Sequence, residues 1–205
     1  ANCGRYCDAS IDFVDINPNT GLICIDALER KLKIAKNNNK LPKIFVAVHF
    51  AGASCDMERI WDLSKKYNFK IIEDASHALG GHYKGHIVGK CEYSIATVFS
   101  FHPVKILTTG EGGAITTNDK NLAQKISLLR SHGITKNPAE FENKFYSEWT
   151  YEQKLLGFNY RMSDIHASLG ISQLKRLDKI VKERNKQFKY YELILKDLPV
   201  NLLEI

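Results

Sequence analysis

One lysine and one aspartate each stand just after an apolar segment, in a setting that suits chemistry on a carbonyl group. Lys105 follows the apolar run Tyr93–Phe101, with Ser100 five residues before it and glycines five to eight residues after it. Asp74 follows an earlier apolar run, Phe69–Glu73. An amine held at a strand end beside small residues can form a Schiff base with an aldehyde. A carboxylate close by can keep a ring nitrogen protonated.

These groups match the needs of pyridoxal phosphate, which are an amine for the aldehyde, a carboxylate for the pyridine nitrogen, a partner for the ring hydroxyl and donors for the phosphate. Lys105 suits the first role, and its free amine can then act as the general base. Asp74 suits the second role, His77 the third and Ser100 the phosphate. Each residue also has a purely structural interpretation, as a surface lysine, a cap, a loop histidine or a turn serine. For His102 that interpretation is favoured.

The patterning around these residues alternates short apolar runs with helical ones, which is typical of an α/β fold with a largely parallel sheet. The predicted strands cover residues 11–16, 42–48, 69–73, 93–101 and 113–117, and the predicted helices cover 26–35, 56–67 and 119–130. A long, bent helix is predicted from residue 163 towards 195. The aromatic-rich segment 131–160 has no clear period, so we expect it to line a site or an interface. Ligands of such sheets bind beyond the carboxyl ends of the strands, where Asp74 and Lys105 are predicted to lie.

Composition narrows the class of protein. Hydrophobic residues make up 44% and charged residues 25%, as in ordinary globular domains. No apolar run approaches the ~20 residues that span a bilayer, and no signal-peptide pattern is present, so we expect a cytoplasmic protein without a membrane partner. Five scattered cysteines predict reduced thiols and no metal site. The net charge of +6 is spread over predicted helix surfaces, so we expect no nucleic-acid partner, whereas a phosphate-bearing substrate suits it.

Three motifs in combination resemble the DegT/StrS-type sugar aminotransferases. They are Glu73–Gly80 (EDASHALG), Phe99–Gly113 (FSFHPVKILTTGEGG) and Gly157–Asp164 (GFNYRMSD). The similarity runs over essentially all 205 residues. It implies the aspartate-aminotransferase-like large domain of the fold type I pyridoxal-phosphate enzymes, an α/β fold with a mostly parallel sheet between helices.

The resemblance also implies roles for single residues. Lys105 would anchor the cofactor aldehyde, Asp74 would contact the pyridine nitrogen and Ser100 would bind the phosphate. His77 stands where many members of the family carry glutamine. Asn159 matches an asparagine that reaches the phosphate of the neighbouring subunit's cofactor. A homodimer with active sites at its interface is therefore implied.

The implied reaction transfers an amino group, with glutamate as the expected amino-acid donor, to a keto carbon of a nucleotide-linked deoxy sugar used in cell-surface glycans or flagellin. The segments His102–Lys105 (HPVK) and Trp149–Gln153 (WTYEQ) are most similar to the pseudaminic-acid branch. That branch aminates a UDP-linked 4-keto-6-deoxy-N-acetylhexosamine. Related sugar dehydratases carry histidine in place of the lysine, so the presence of Lys105 disfavours that reaction.

Two parts of the family pattern are not found in the sequence. The glycine-threonine phosphate loop and the ring-stacking aromatic residue would lie upstream of Ala1, and a small C-terminal domain would begin near Leu198. We therefore predict a cofactor-binding large domain over residues 1–195 that lacks its N-terminal part, and the start of a small domain over 196–205. The alternative is a catalytically incomplete fragment, or a binding scaffold that keeps the motifs.

Overall fold

A four-stranded sheet forms the centre of the fold. The computed structural model describes residues 1–204, so Ile205, the last residue of the predicted small domain, lies outside the described part. The strands are β1 (Ile44–Val48), β2 (Lys70–Asp74), β3 (His82–Tyr83), β4 (His86–Ile87), β5 (Ala96–Ser100), β6 (Gly113–Thr116), β7 (Ile134–Thr135) and β8 (Glu152–Gln153). The order in the main sheet is β1-β2-β5-β6, in which the first three strands are parallel and β6 is antiparallel to β5.

Six α-helices among the described residues surround the sheet or extend from it. They are α1 (Asn2–Tyr6), α2 (Ile25–Asn37), α3 (Met57–Tyr67), α4 (Lys120–Leu129), α5 (Asp164–Leu174) and α6 (Leu177–Leu195), with short 3-10 turns at Phe50–Gly52 and Pro138–Glu140. Side chains cap three of the helices at their N-termini: Asp56 caps α3, Asp119 caps α4 and Ser163 caps α5. No helix within residues 1–204 has both the length and the apolar character needed to cross a bilayer.

The two faces of the main sheet differ in burial. One face packs against α2 and α3 in a core that contains Leu28, Leu32, Ala47, Met57, Ile60, Leu63 and Ile71. The spacing of the buried helix residues, four apart in α2 and three apart in α3, is that of an amphipathic helix. On the opposite face, Ile44, Val46 and Val48 of β1 are about half exposed. Asp74 pairs with Val48 and therefore lies on this more open face.

Most elements lie where the sequence predicts them, but one predicted strand is absent. The segment 11–16 forms no strand; Ile16 makes only an isolated bridge with Ile23. Side chains compete for the backbone here, because the Asp12 and Asp15 carboxylates accept the next residues' N–H groups. The predicted bend in the C-terminal helix falls between α5 and α6, at residues 175–176.

The segment 131–160 is irregular, as predicted, and is organised around one carboxylate. Glu152 accepts hydrogen bonds from the backbone N–H groups of Glu142 at 2.8 Å and Asn143 at 3.0 Å, and from Lys154 Nζ at 2.5 Å. The hydrogen bond from Lys154, followed by those from the two backbone groups, lowers the pKa of Glu152 from 4.5 to about 2. The Glu152 carboxylate therefore holds the start of the loop 142–152 against its end.

The cap of α4 gives a stability prediction. The Asp119 carboxylate accepts hydrogen bonds from the N–H groups of Asn121 at 2.9 Å and Leu122 at 3.1 Å. We expect Asp119→Ala to lower the free energy of unfolding by about 1 kcal/mol, because these donors lose their partner. Asp119→Ser restores a capping oxygen and should recover most of the loss. Urea unfolding measures both variants, and an equal loss in both would contradict the cap's role.

The Glu152 carboxylate gives a pH prediction. Its folded pKa of about 2 lies below the ordinary 4.5, so its contribution to stability is present above pH 4.5 and is lost as the pH falls towards 2. Glu152→Gln should therefore lower the melting temperature at neutral pH, and the difference from the parent protein should shrink over that interval. Glu148→Gln, at an exposed glutamate of the same segment, is the control. A difference that stays constant with pH would contradict the assignment.

Candidate active site

Asp74 and Ser100 lie on the same face of the sheet at neighbouring strand ends. Asp74 ends β2 and pairs with Val98 of β5, and Ser100 ends β5 two residues further on. Residues two apart on a strand share a face; with strands about 4.8 Å apart and a rise of about 3.3 Å per residue, the two Cα atoms lie about 8 Å apart. Both residues are half-buried. The structure thus brings together the carboxylate and the hydroxyl that the sequence singles out.

The Asp74 carboxylate is oriented by its neighbour Ser76. Its Oδ1 atom accepts hydrogen bonds from the Ser76 N–H at 3.1 Å and from Ser76 Oγ at 2.6 Å. Within residues 1–204, the Oδ2 atom accepts none. One oxygen therefore holds the carboxylate in place, while the other can accept a proton donor such as a protonated ring nitrogen.

His77 lies in the turn that follows Asp74, beside an aromatic residue from the end of β1. The His77 and Phe50 rings lie 5.9 Å apart between centroids and are tilted by 54°. The chain at Gly52 passes close to this turn, since a Cβ atom there would lie 3.1 Å from the His77 carbonyl oxygen. His77 therefore shares the edge of the sheet where Asp74 stands, and Phe50 is a neighbour that sequence reasoning did not identify.

Lys105 stands on a closed loop, residues 101–112, which we call the lysine loop. The Phe101 N–H donates to the Gly112 carbonyl at 2.8 Å. The Phe101 carbonyl accepts from the Thr109 N–H at 3.0 Å and from Thr108 Oγ1 at 3.0 Å. Both backbone groups of one residue therefore close the loop where it leaves β5.

A tight turn at the start of the lysine loop places the lysine itself. The Lys105 N–H donates to the His102 carbonyl at 2.9 Å, and Lys105 is half-buried. The His102 N–H lies 3.5 Å from Ser100 Oγ, which links the turn to the strand end. Lys105 and Ser100 are thus held in one short, hydrogen-bonded unit.

Helix α5 supports the far side of the lysine loop. Thr109 is only 1% exposed, and its hydroxyl donates to the Glu111 carbonyl at 2.7 Å. A Cβ atom at Gly112 would collide with the Thr109 hydroxyl, and a Cβ atom at Gly170 of α5 would lie 2.8 Å from Thr109 Cγ2. Only glycine fits at both positions, so the loop is fixed against α5 by close packing.

Asn159 lies in a segment that pairs with the chain after α4. Its backbone forms a bridge with Ser131, and the rings of Phe158 and Tyr160 on either side stack at 4.8 Å. Asn159 is exposed. Met162, further along, lies against the lysine loop. The backbone at Asn159 is therefore fixed, and the residue lies at the surface.

Sequence reasoning missed a buried polar cluster behind Asp74, formed by His49, Glu73, Ser94 and Thr97. One signal was available. Glu73 interrupts an apolar strand next to Asp74, and the two-residue period of a strand turns adjacent side chains to opposite faces. An acid on the covered face must find hydrogen-bond partners there. The partners themselves lie 21 to 24 residues away in the chain.

Comparison with known proteins gives the same family from sequence alone. The sequence model of the DegT/DnrJ/EryC1/StrS aminotransferase family matches residues 1–204. A curated relative from Campylobacter jejuni subsp. jejuni, UDP-4-amino-4,6-dideoxy-N-acetyl-beta-L-altrosamine transaminase, is 44% identical over 192 residues. These residues are 94% of this chain and 47% of that protein, so the chain spans about half the length of the curated relatives it matches.

Solved structures share the fold. PseC of Helicobacter pylori, an aminotransferase involved in the biosynthesis of pseudoaminic acid, superposes with a TM-score of 0.85 at 36% identity, over 97% of this chain and 49% of that chain. Spr1654 of Streptococcus pneumoniae, assigned as a sugar aminotransferase, superposes in its PMP form with a TM-score of 0.79 at 27% identity, over 96% and 52% of the two chains. Its PLP form gives 0.76.

These likenesses confirm the predicted fold class, an aspartate-aminotransferase-like α/β domain with a mostly parallel sheet flanked by helices. Aminotransferases of the matched family depend on pyridoxal phosphate, and their named relatives act on nucleotide sugars. The family match extends over both the strand ends that hold Asp74 and Ser100 and the lysine loop. The chain belongs to the DegT/DnrJ/EryC1/StrS aminotransferase family.

Proposed function

We propose that this chain is the cofactor-binding part of a pyridoxal-phosphate-dependent aminotransferase that transfers an amino group from glutamate to a keto carbon of a nucleotide-linked deoxy sugar. The observation that carries the proposal is the grouping of a lysine on a closed loop, a carboxylate with an unengaged oxygen and a serine hydroxyl at one edge of the sheet.

The residues present fit the cofactor. The Asp74 Oδ2 atom is available to a protonated pyridine nitrogen, and Ser76 prevents the carboxylate from turning away. Ser100 would bind the phosphate, and His77 would lie at the ring or its hydroxyl. When bound, pyridoxal phosphate supplies an electron sink for the charge left on a carbon that loses its proton.

Lys105 would anchor the cofactor and serve as the general base. Its Nζ atom would take the proton from the substrate carbon and return a proton later in the reaction. Because the loop is closed at Phe101 and packed on α5, the backbone that carries Lys105 is held in place.

Relatives and surface features support the substrate and the assembly. The C. jejuni relative acts on a UDP-linked amino sugar, and the net charge of +6 suits a substrate that carries a diphosphate. We also propose a homodimer in which Asn159 reaches the partner's cofactor phosphate. The exposed position of Asn159 and the largely exposed Phe145, Trp149 and Ile165 support it.

One observation favours the alternative, a catalytically incomplete fragment or a binding scaffold that keeps the motifs. The β1 residues Ile44, Val46 and Val48 leave apolar surface open on the face that carries Asp74. Under this alternative the protein folds but retains no cofactor.

The anchor can be tested directly. We expect pyridoxal phosphate followed by borohydride reduction to leave a pyridoxyl label on Lys105, located by mass spectrometry of the digested protein. Lys105→Ala should lose the label and about 1,000-fold of the transamination rate with glutamate and a UDP-linked keto sugar, because the base is removed. Lys90→Ala, at an exposed lysine, is the control. A label on other lysines with Lys105 unmodified would refute the mechanism, and a folded protein with no label would favour the alternative.

The support of the lysine loop can be tested at Thr109. Thr109→Val keeps the side chain's shape but removes the hydrogen bond to the Glu111 carbonyl, so we expect about a tenfold slower incorporation of the label at Lys105. Thr109→Ser keeps the hydroxyl but loses the methyl group that packs on Gly170, so it should label faster than Thr109→Val. Equal rates in the two variants would show that the hydrogen bond does not position the loop.

A further inference from the structure

A buried carboxylate stands directly behind Asp74, on the opposite face of the sheet. Glu73 is 6% exposed, and the side chains of His49 and Thr97 beside it are fully enclosed at 0%. An acid in such a position is costly unless its oxygens are hydrogen-bonded. The mechanism above uses neither Glu73 nor His49.

Three donors surround the Glu73 carboxylate. Oε2 accepts from His49 Nε2 at 2.8 Å, and Oε1 accepts from Ser94 Oγ at 2.5 Å and from Thr97 Oγ1 at 3.1 Å. Burial opposes ionisation, but these hydrogen bonds outweigh it and hold the pKa of Glu73 below its usual value. The group is therefore a carboxylate at neutral pH.

The ring of His49 is fixed from both sides. The Cys55 N–H donates to His49 Nδ1 at 3.1 Å, so that nitrogen carries no proton and Nε2 is the donor to Glu73. Cys55 Sγ in turn donates to the Val48 carbonyl at the end of β1. The imidazole is thus a neutral, oriented link between β1 and β2.

Backbone hydrogen bonds on both sides also hold the chain at Asp74 in place. The His49 N–H donates to the Asp74 carbonyl at 3.0 Å, and the Ala75 N–H donates to the Val98 carbonyl at 2.8 Å. His49 therefore holds β2 twice, by backbone at Asp74 and by side chain at Glu73. Thr97 adds a side-chain bond from β5 at the same level.

We propose that Glu73, held by His49, is a positioning residue that fixes the Asp74 carboxylate for the ring nitrogen of the cofactor, an inference that rests on the proposed function. A role in stability alone would not require a buried carboxylate, since an apolar side chain of similar size often stabilises a buried site as well as a charged one does. Here the Glu73 carboxylate accepts hydrogen bonds from His49 just after β1, from Thr97 in β5 and from Ser94 before β5. These bonds are made next to Asp74, at the end of β2.

The test compares Glu73→Gln, which keeps the shape and one acceptor oxygen, with Glu73→Met, which removes both acceptors. Two quantities are measured: amide hydrogen exchange at residues 74–76 in the cofactor-free protein, and the Kd for pyridoxal phosphate from absorbance titration. We expect Glu73→Met to speed exchange and raise the Kd by about tenfold each, and Glu73→Gln, which keeps one of the two acceptors, to recover part of both.

Three further variants make the comparison specific. Leu32→Ala, in the core on α2, supplies a similar loss of global stability away from the strand ends. Ser94→Ala removes one donor at a half-buried position and gives a milder lesion if Glu73→Met does not fold. Asp74→Asn tests the proposed contact with the ring nitrogen independently.

The outcomes separate the inference from the proposed function. If Glu73→Met, or Ser94→Ala in its place, changes exchange and Kd no more than Leu32→Ala does at equal stability, Glu73 is structural only and the inference is overturned. If Asp74→Asn leaves the Kd unchanged, the proposed Asp74 contact fails and the inference fails with it. Faster exchange at residues 74–76 together with a weakened Kd in Glu73→Met supports the inference.

Discussion

The register of three parallel strands is the constraint on which the candidate site depends. Two of the candidate site residues are placed by their positions along a strand: Asp74 ends β2 opposite Val98, and Ser100 lies two residues further on the same face of β5. A slip of one residue in β2 would turn every side chain of the strand to the other face, so that the Asp74 carboxylate would point into the core and the Glu73 carboxylate towards the candidate site. The hydrogen bonds of His49 to both residues hold β2 in its observed register.

The strand ends could be predicted from the sequence because their signals are local. The apolar runs Phe69–Glu73 and Tyr93–Phe101 mark both strands and place their ends within a residue of Asp74 and Ser100, and Lys105 follows within a few residues. The segment 11–16 carries a similar pattern but forms no strand, because its aspartate side chains bond the adjacent backbone. The packing of Thr109 against Gly170, and of Glu73 against His49, depends on how distant parts of the chain meet. A single sequence gives no direct sign of such contacts.

One face of the main sheet is buried and the other is partly exposed, and the candidate site lies on the exposed face. The face towards α2 and α3 carries the core and the satisfied charge of Glu73. The face that bears Asp74 and Ser100 keeps both residues half-buried, so a ligand can reach them. The core face therefore holds the strand ends in place, while the open face leaves the Asp74 carboxylate accessible to a ligand.

The closure of the lysine loop has a consequence for how the family can diversify. Its fastening bonds are made by the backbone of Phe101, the hydroxyls of Thr108 and Thr109, and the contact with α5; the side chain of Lys105 takes part in none of them. Lys105 can therefore be exchanged while the hydrogen bonds and packing that hold the loop persist. A histidine at this position, which the family resemblance implies for the related sugar dehydratases, would stand on the same hydrogen-bonded loop.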